Sequence, residues 1–254
     1  MRLYPIRGSQ APWKGPSRAS DIFARLLQPT GAGEYVRRHV VSRIVNARCV
    51  VGGRVVDLGA GVGNLYMALR SDLRDGYVVV DVERGQYGQR IIGDVTAAPL
   101  ASDSVDCACL SDVLEHLVHD VDAVRVAVRV VRPSGYIVIH VPSTRSKPYA
   151  CLQRAADGAE AVDHQQFPHV RDGYTHKTLC TMLGEVTGVE LISVQPSFAA
   201  MQSLLSDIDS YLWWHKWTPL RFLPWLGIRL ASLHNSRTWP TESSSGYVAV
   251  LKKV

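Results

Sequence analysis

The sequence predicts an α/β fold in which helices cover both faces of a mostly parallel sheet. Five short apolar segments are present: the first begins at Val55, and the others span 76–81, 91–94, 105–110 and 135–141. Between the last two, valines recur at helical spacing at positions 121, 124, 128 and 131. This alternation is typical of parallel strands joined by helices. A glycine-rich turn directly after the first segment supports the same class, because such turns join a strand to a helix in open α/β sheets.

The glycine turn is also the first candidate binding site. Gly59, Gly61 and Gly63 follow the first strand and precede a helix-like run, 65–69. Glycines there let the backbone turn sharply and approach a ligand closely. A dinucleotide fingerprint would place its third glycine at position 64, which is Asn64. A helix start favours an anion such as a pyrophosphate, whereas Asp57 favours a cationic group; a tight turn without a ligand is the remaining interpretation.

Five motifs in order resemble the class I S-adenosylmethionine-dependent methyltransferases, in particular their type 11 small-molecule group. They are VVDLGAGVGN (55–64), VVVD (78–81), GDVTAAPLASDSVD (93–106), LSDVLEHL (110–117) and RVVRPSGYIVIHVPS (129–143). The resemblance covers roughly residues 50–196 and resumes at 246–253. It implies a doubly wound, Rossmann-like sheet of seven strands with the last one antiparallel, strands six and seven being 189–194 and 247–251.

The resemblance also implies which residues bind S-adenosyl-L-methionine and its product S-adenosyl-L-homocysteine. The methionine part would be surrounded by Asp57, Gly59, Ala60, Gly61 and Gly63. Asp81 would hold the ribose hydroxyls, Asp94 and the backbone of Val95 the adenine amino group, and Ser111 and Asp112 would lie beside the reactive methyl. Only twelve residues separate Asp81 from Asp94, and Gly85 and Gly88 interrupt them. A crossover helix is therefore not expected there, and Glu83 is the alternative ribose ligand.

We expect a single domain over 1–254. Residues 1–50 would form an arm and cover helices, including a capped helix after Ser20 and another over 34–49. The cofactor-binding core would span 51–196, with Thr175 capping a helix over 177–186. A Trp-rich helical insertion would occupy 197–245, and the last strand 246–254.

The composition of the chain limits the classes of partner and the cellular location that we expect. The net charge is +5, but the basic residues are scattered, and the chain lacks both the D/N-P-P-Y/F run and the Pro-Cys nucleophile of DNA methylases. No nucleic-acid partner is therefore expected. No apolar run follows Arg2 and Arg7, no stretch is long enough to span a membrane, and Cys107 and Cys109 fall in a predicted core strand. These features favour a cytoplasmic protein with reduced cysteines.

The insertion contains five of the six tryptophans. Three interpretations are open: a lid over an apolar acceptor pocket, a peripheral contact through 205–230 with the inner face of the membrane, and a homodimer surface. All three imply a partly apolar acceptor or partner.

Histidines supply the candidate catalytic groups. A base that accepts the leaving proton assists methylation of a hydroxyl, and histidine suits this near neutral pH. His116 follows the fourth strand, while His164 and His169 lie in the loop 143–176 on the acceptor side. Around His169 this loop reads His-x-Arg-x-Gly-Tyr, a stretch similar to those of type 11 enzymes of polysaccharide and glycolipid pathways; a solvated loop is the alternative.

A divalent metal is not expected. Asp112, Glu115, His116, Asp163 and His164 could gather around an ion, but their spacing does not demand one. The sequence thus predicts a methyltransferase acting on a hydroxyl of a small molecule, a sugar or a glycolipid. The alternatives are N- or C-methylation of a hydrophobic metabolite, a non-catalytic scaffold that binds the cofactor, and an RNA or protein methylase.

Overall fold

The computed structural model describes residues 32–144, 169–198, 200–214, 217–233 and 244–254. Seven strands lie in these ranges: β1 Val55–Leu58, β2 Tyr77–Asp81, β3 Gln89–Ile92, β4 Val105–Ser111, β5 Val131–Pro142, β6 Val189–Pro196 and β7 Gly246–Lys253. They form one sheet in the order β3-β2-β1-β4-β5-β7-β6. The strand pairs among β1 to β5 are parallel, and β7 is antiparallel to both of its neighbours. The predicted fold class is confirmed.

Six α-helices accompany the sheet in the described residues: α1 Ala32–Arg48, α2 Ser71–Arg74, α3 Asp120–Val130, α4 His176–Gly184, α5 Ala200–Trp214 and α6 Phe222–Leu233. Short 3-10 helices span Asn64–Ala68, Val95–Ala97, Leu114–His116 and Thr218–Arg221. Thr175 caps α4 as predicted, and Thr178 bonds back to it in a capping box. None of the described helices is long and apolar enough to cross a membrane.

Successive side chains of a strand point to opposite faces of the sheet. Helices cover both faces of the central strands, so these strands are buried on both sides. Val56, Leu58, Ala108 and Leu110 face a core shared with α3 and α4. Their neighbours Val55, Cys107 and Cys109 face a second core shared with α1. Cys107 and Cys109 are thus free, buried thiols, as expected for small apolar core residues.

Two connections determine the shape of the edge of the sheet at which β1 and β2 end. The run after the glycine turn is a 3-10 helix at Asn64–Ala68, so no long helix starts there. Residues 82–88 join β2 to β3 without a helix, which confirms the expectation from the short spacing. The loop can close tightly because Gly88 has φ +80°, and a Cβ at this position would lie 2.5 Å from the Tyr77 ring.

The region before the last strand contains α5 and α6. Arg221 binds Asp209 in α5 through two parallel hydrogen bonds, of 2.7 and 2.9 Å. Because the Asp209 side chain is 2% exposed, this bidentate pair holds the turn between the helices firmly. Among the tryptophans of this region, side chains are described for Trp217 and Trp225, and Arg229 lies over the Trp225 ring at 4.7 Å.

Candidate active site

A cavity of about 300 Å³ opens at the carboxyl ends of β1 and β4. The glycine turn, including Asp57, forms one wall, and Ser111 and Asp112 form another. The third wall comes from α1, through Glu34, Arg37, Arg38 and Val41. Of the predicted cofactor residues, Asp57, Gly59, Ala60, Gly61, Ser111 and Asp112 line the cavity, whereas Gly63, Asp81, Asp94 and Val95 do not border it.

The glycines of the turn are required by backbone geometry. Gly59, Gly61 and Gly63 have φ values of +78°, +54° and +83°. A Cβ at Gly59 would lie 2.3 Å from Cγ2 of Val113, and one at Gly63 would lie 2.9 Å from the carbonyl oxygen of Tyr87. Only glycine satisfies both conditions without strain.

Asp57 presents a buried carboxylate at the base of the cavity. Its Oδ2 accepts a hydrogen bond of 2.6 Å from the Tyr77 hydroxyl, whereas its buried Oδ1 has no hydrogen-bond partner among the described residues. Burial raises the pKa of Asp57 to about 6, although the bond from Tyr77 opposes this. A cationic ligand would complete this site, because an opposite charge restores the ionised form. The ammonium of S-adenosylmethionine fits that requirement.

Asp81 holds the glycine turn against the β2–β3 loop. Its Oδ2 accepts from the amide of Gly61 at 2.7 Å, and its Oδ1 accepts from the amide of Glu83 at 2.8 Å. The Arg90 guanidinium donates to the carbonyls of the same two residues, at 2.7 and 3.0 Å. Asp81 therefore has a structural task at the end of β2, and its contact with ribose hydroxyls stays a prediction.

Asp94 and Val95 lie where β3 ends. Oδ1 of Asp94 accepts from the amide and hydroxyl of Thr96, which caps the 3-10 helix. The Asp94 side chain is exposed and Val95 is buried. Their predicted contact with the adenine also stays a prediction.

Asp112 joins three elements at the edge of the cavity. Its Oδ2 lies 2.6 Å from Nε of Arg37 on α1, and its Oδ1 lies 2.8 Å from Nδ1 of His140 on β5. The other ring nitrogen of His140 lies 2.8 Å from Oγ of Ser197. Burial acts to raise the pKa of Asp112, but the charges of Arg37 and His140 hold it at about 2. Asp112 is therefore ionised at neutral pH.

The structure brings two of the three predicted catalytic histidines together. The 3-10 turn after β4 carries His116, and its ring centroid lies 4.6 Å from that of His169, edge to face. The carbonyl of Glu115 accepts from the amides of Val170 and Arg171, at 2.8 and 3.3 Å. These bonds fix the segment that carries His169 beside the turn. His164 lies outside the described residues.

The stretch after His169 anchors it through a partly buried polar cluster. Arg171 donates to Oδ2 of Asp120, to the hydroxyl of Tyr174 at 2.7 Å and to the carbonyl of Leu114 at 3.0 Å. The Tyr174 hydroxyl itself donates to Asp120 at 2.6 Å. Gly173, at φ +118°, lies against the carbonyl oxygen of Pro142. The Arg, Gly and Tyr of the stretch thus position the loop, and its histidine is left facing His116.

Glu115 is the functional candidate that the sequence did not select for catalysis. Its residue is 1% exposed, and burial together with the charge of Asp112 raises its pKa to about 8. Its Oε1 lies 4.0 Å from Nε2 of His116, and no partner for its buried Oε2 is found in the described ranges. Arg37 was also missed, because nothing in the helix pattern of 34–49 indicates which side chain meets Asp112.

The fold and the site together define a Rossmann-like α/β domain, a class of fold whose ligands bind at the carboxyl ends of the strands. Residues 56–139 match the profile of the family described as Methyltransferase domain. The match covers 84 of the 254 residues, and the class that this chain resembles is that of the class I S-adenosylmethionine-dependent methyltransferases. A comparison with curated proteins gives no match.

Solved structures share the fold at low sequence identity. A geranyl diphosphate C-methyltransferase from Streptomyces coelicolor A3(2) is 9% identical, with a TM-score of 0.54 over 87% of this chain and 78% of that chain. The MccD protein is 14% identical, with a TM-score of 0.53 over 89% and 100%. The cyclase SpnF is 14% identical, with a TM-score of 0.53 over 85% and 81%. At such identities the likeness establishes the fold alone.

Proposed function

We propose that the protein transfers a methyl group from S-adenosylmethionine to a hydroxyl of a small molecule, a sugar or a glycolipid. The observation that carries the proposal is the edge-to-face contact of His116 with His169; His116 lies four residues after Asp112, which lines the cavity. Imidazole is the group best suited to accept a hydroxyl proton near neutral pH. Methylation of carbon gives no such use to a histidine pair unless a C–H bond is made acidic.

The cofactor residues divide the ligand between them. Asp57 would bind the ammonium of the methionyl part, and Arg37 offers a cation for its carboxylate. Asp81 would meet the ribose, and Asp94 with the amide of Val95 would meet the adenine. When bound, the cofactor supplies an electrophilic methyl on a sulfonium. Gly61 leaves room for it, because a Cβ at this position would meet nothing within 4 Å.

In the proposed step, the chain orients the acceptor and removes its proton. The acceptor oxygen forms a bond to the methyl carbon while the carbon–sulfur bond breaks and its electron pair stays on sulfur. The hydroxyl proton passes to a ring nitrogen of His116 or His169. The ionised Asp112 holds α1 on the cavity through Arg37, which limits the access of water.

The exposed apolar side chains of α6 support the proposal that the protein meets an apolar acceptor or a lipid surface. Leu223, Leu226 and Leu230 lie at helical spacing and are 65, 39 and 58% exposed. The three leucines form a row of large apolar side chains on the surface of this helix, and Trp217, which precedes the helix in the chain, is 55% exposed. We propose that this row rests on a lipid surface, which is also where a glycolipid acceptor would be found.

The test combines cofactor binding with product analysis. We expect S-adenosylhomocysteine to bind in calorimetry and a hydroxyl to be methylated within a panel of sugars and glycolipids. His169→Ala should lower kcat by about 10²–10⁴-fold with unchanged affinity for S-adenosylhomocysteine. The exposed His119→Ala is the matched control and should retain full activity. Failure of the wild type to bind S-adenosylhomocysteine would refute the proposal. Products methylated only on nitrogen or carbon would refute its claim that the acceptor is a hydroxyl.

A further inference from the structure

Two histidines and a carboxyl group meet at the 3-10 turn that follows β4. We propose that Glu115, His116 and His169 form a binding site for a divalent transition-metal ion, against the expectation from the sequence. One ligand atom from each residue lies within 4.8 Å of those of the other two. Metal binding does not depend on the function proposed above, but the role given to the ion, activation of the acceptor hydroxyl, rests on it.

The geometry needs only small adjustments to close around an ion. Ligand atoms about 2.0–2.2 Å from a tetrahedral ion lie about 3.4 Å from one another. Oε1 of Glu115 and Nε2 of His116 are 4.0 Å apart, so a movement of less than about an ångström suffices for this pair. His116 and His169 already contact each other edge to face, at 4.6 Å between centroids. Rotation of the two rings brings a nitrogen of each toward the carboxylate.

The backbone holds the three ligands in place before any ion arrives. Glu115 and His116 are consecutive on the 3-10 turn after β4. The segment of His169 is tied to that turn by the amides of Val170 and Arg171, which donate to the Glu115 carbonyl. The Arg171–Asp120–Tyr174 cluster secures the same segment a second time. Such preorganisation lowers the entropy lost when an ion binds.

An independent observation indicates that Glu115 awaits a ligand. Its side chain is 2% exposed, and its buried Oε2 has no hydrogen-bond partner in the described part of the chain. A buried carboxyl oxygen without a hydrogen-bond partner lowers the stability of the fold. A cation between this carboxylate and the two rings would satisfy it.

The donor set indicates the kind of ion. Two imidazole nitrogens and one carboxylate oxygen suit Zn²⁺, Fe²⁺ or Mn²⁺, and catalytic sites with three protein ligands keep a further position open. Mg²⁺ and Ca²⁺ prefer oxygen ligands throughout. The open position would take the acceptor hydroxyl, lower its pKa and release its proton to solvent. In the metal-bound protein this release to solvent takes the place of the proton transfer to His116 or His169 given above, since both rings are then ligands.

Metal titration of the tag-free chain tests the site directly. We expect the wild type to bind one Zn²⁺ per chain, and Glu115→Gln and His169→Ala to weaken binding by at least about tenfold, since even residues that only support a ligand have effects of this size. The exposed His119→Ala is the control and should bind within twofold of the wild type. The proposal would be overturned if the wild type bound no Zn²⁺, or if Glu115→Gln and His169→Ala bound it as tightly as the wild type does.

A spectrum of the wild type guards against variants that do not fold. Co²⁺ bound to nitrogen and oxygen ligands should give visible bands without a thiolate charge-transfer band. A thiolate band would place the ion on a cysteine and overturn the site. S-adenosylhomocysteine titration of the same preparations separates the two proposals: cofactor binding and methyl transfer without metal binding reject this inference alone, whereas metal binding without cofactor binding rejects the proposed function alone.

Discussion

Replacing Asp57 by Asn separates the cost of its buried charge from its use in binding. The amide keeps an oxygen that can accept from the Tyr77 hydroxyl, a bond of 2.6 Å in the wild type. It removes the negative charge that would meet the ammonium of the cofactor. We expect S-adenosylhomocysteine to bind the variant about tenfold more weakly or worse, which is the usual loss when a hydrogen bond to a charged group is removed.

The effect on stability follows from the pKa. Asp57 has a pKa of about 6 in the folded chain, against 3.8 for the ordinary group. Between these values the folded state binds more protons than the unfolded state, so the free energy of unfolding falls as pH rises and levels off above pH 6. Two units correspond to about 3 kcal/mol in full, of which about 2 kcal/mol is lost between pH 4 and pH 7. The Asn variant lacks this loss.

Urea denaturation of the ligand-free protein at several pH values measures the difference. The stability of Asp57→Asn relative to the wild type should rise by about 2 kcal/mol from pH 4 to pH 7. Asp106→Asn is the matched control, since Asp106 is a buried carboxylate at the other end of the sheet that pairs with Arg132. It should be less stable at neutral pH and bind S-adenosylhomocysteine normally. Parallel pH profiles for Asp57→Asn and the wild type would refute the reasoning.

Three further predictions concern the turn, the loop and the surface. Gly59→Ala should lower the free energy of unfolding by about 2–4 kcal/mol in urea, because its Cβ would meet Val113 at a positive φ; an unchanged midpoint would contradict this. Tyr174→Phe should cost about 1–2 kcal/mol by losing the bond to Asp120, and should raise the KM for the acceptor more than that for the cofactor. Leu223→Ser should weaken sedimentation with anionic lipid vesicles; a dimer that dissociates in this variant, without vesicle binding by the wild type, would instead indicate a protein interface.

The strands and the glycine turn could be predicted from the sequence because their causes are local. Positive φ values select glycine at positions 59, 61 and 63, and burial on both faces produces the apolar runs of β1, β2 and β4. The resemblance implied that Asp57 and Asp112 lie at one ligand site, and both line the cavity. The short spacing along the chain also predicted correctly that no helix joins β2 to β3.

The parts that the sequence left open depend on contacts between distant segments. Nothing near Arg37 in the chain indicates its bond to Asp112, because that bond depends on how α1 packs across the end of β4. The charge state of Glu115 depends on burial, which is a property of the packed molecule.

The sequence by itself determined the class of the fold, the glycine turn and the cofactor end of the sheet, since backbone sterics and side-chain periodicity act over a few residues. Only the tertiary structure decided that His169 contacts His116, although more than fifty residues separate the two in the chain. Glu115 lies close to both histidines. That meeting depends on where the Arg171–Tyr174 cluster locks the returning loop. Such a long-range distance results from packing and leaves no periodic pattern in the chain.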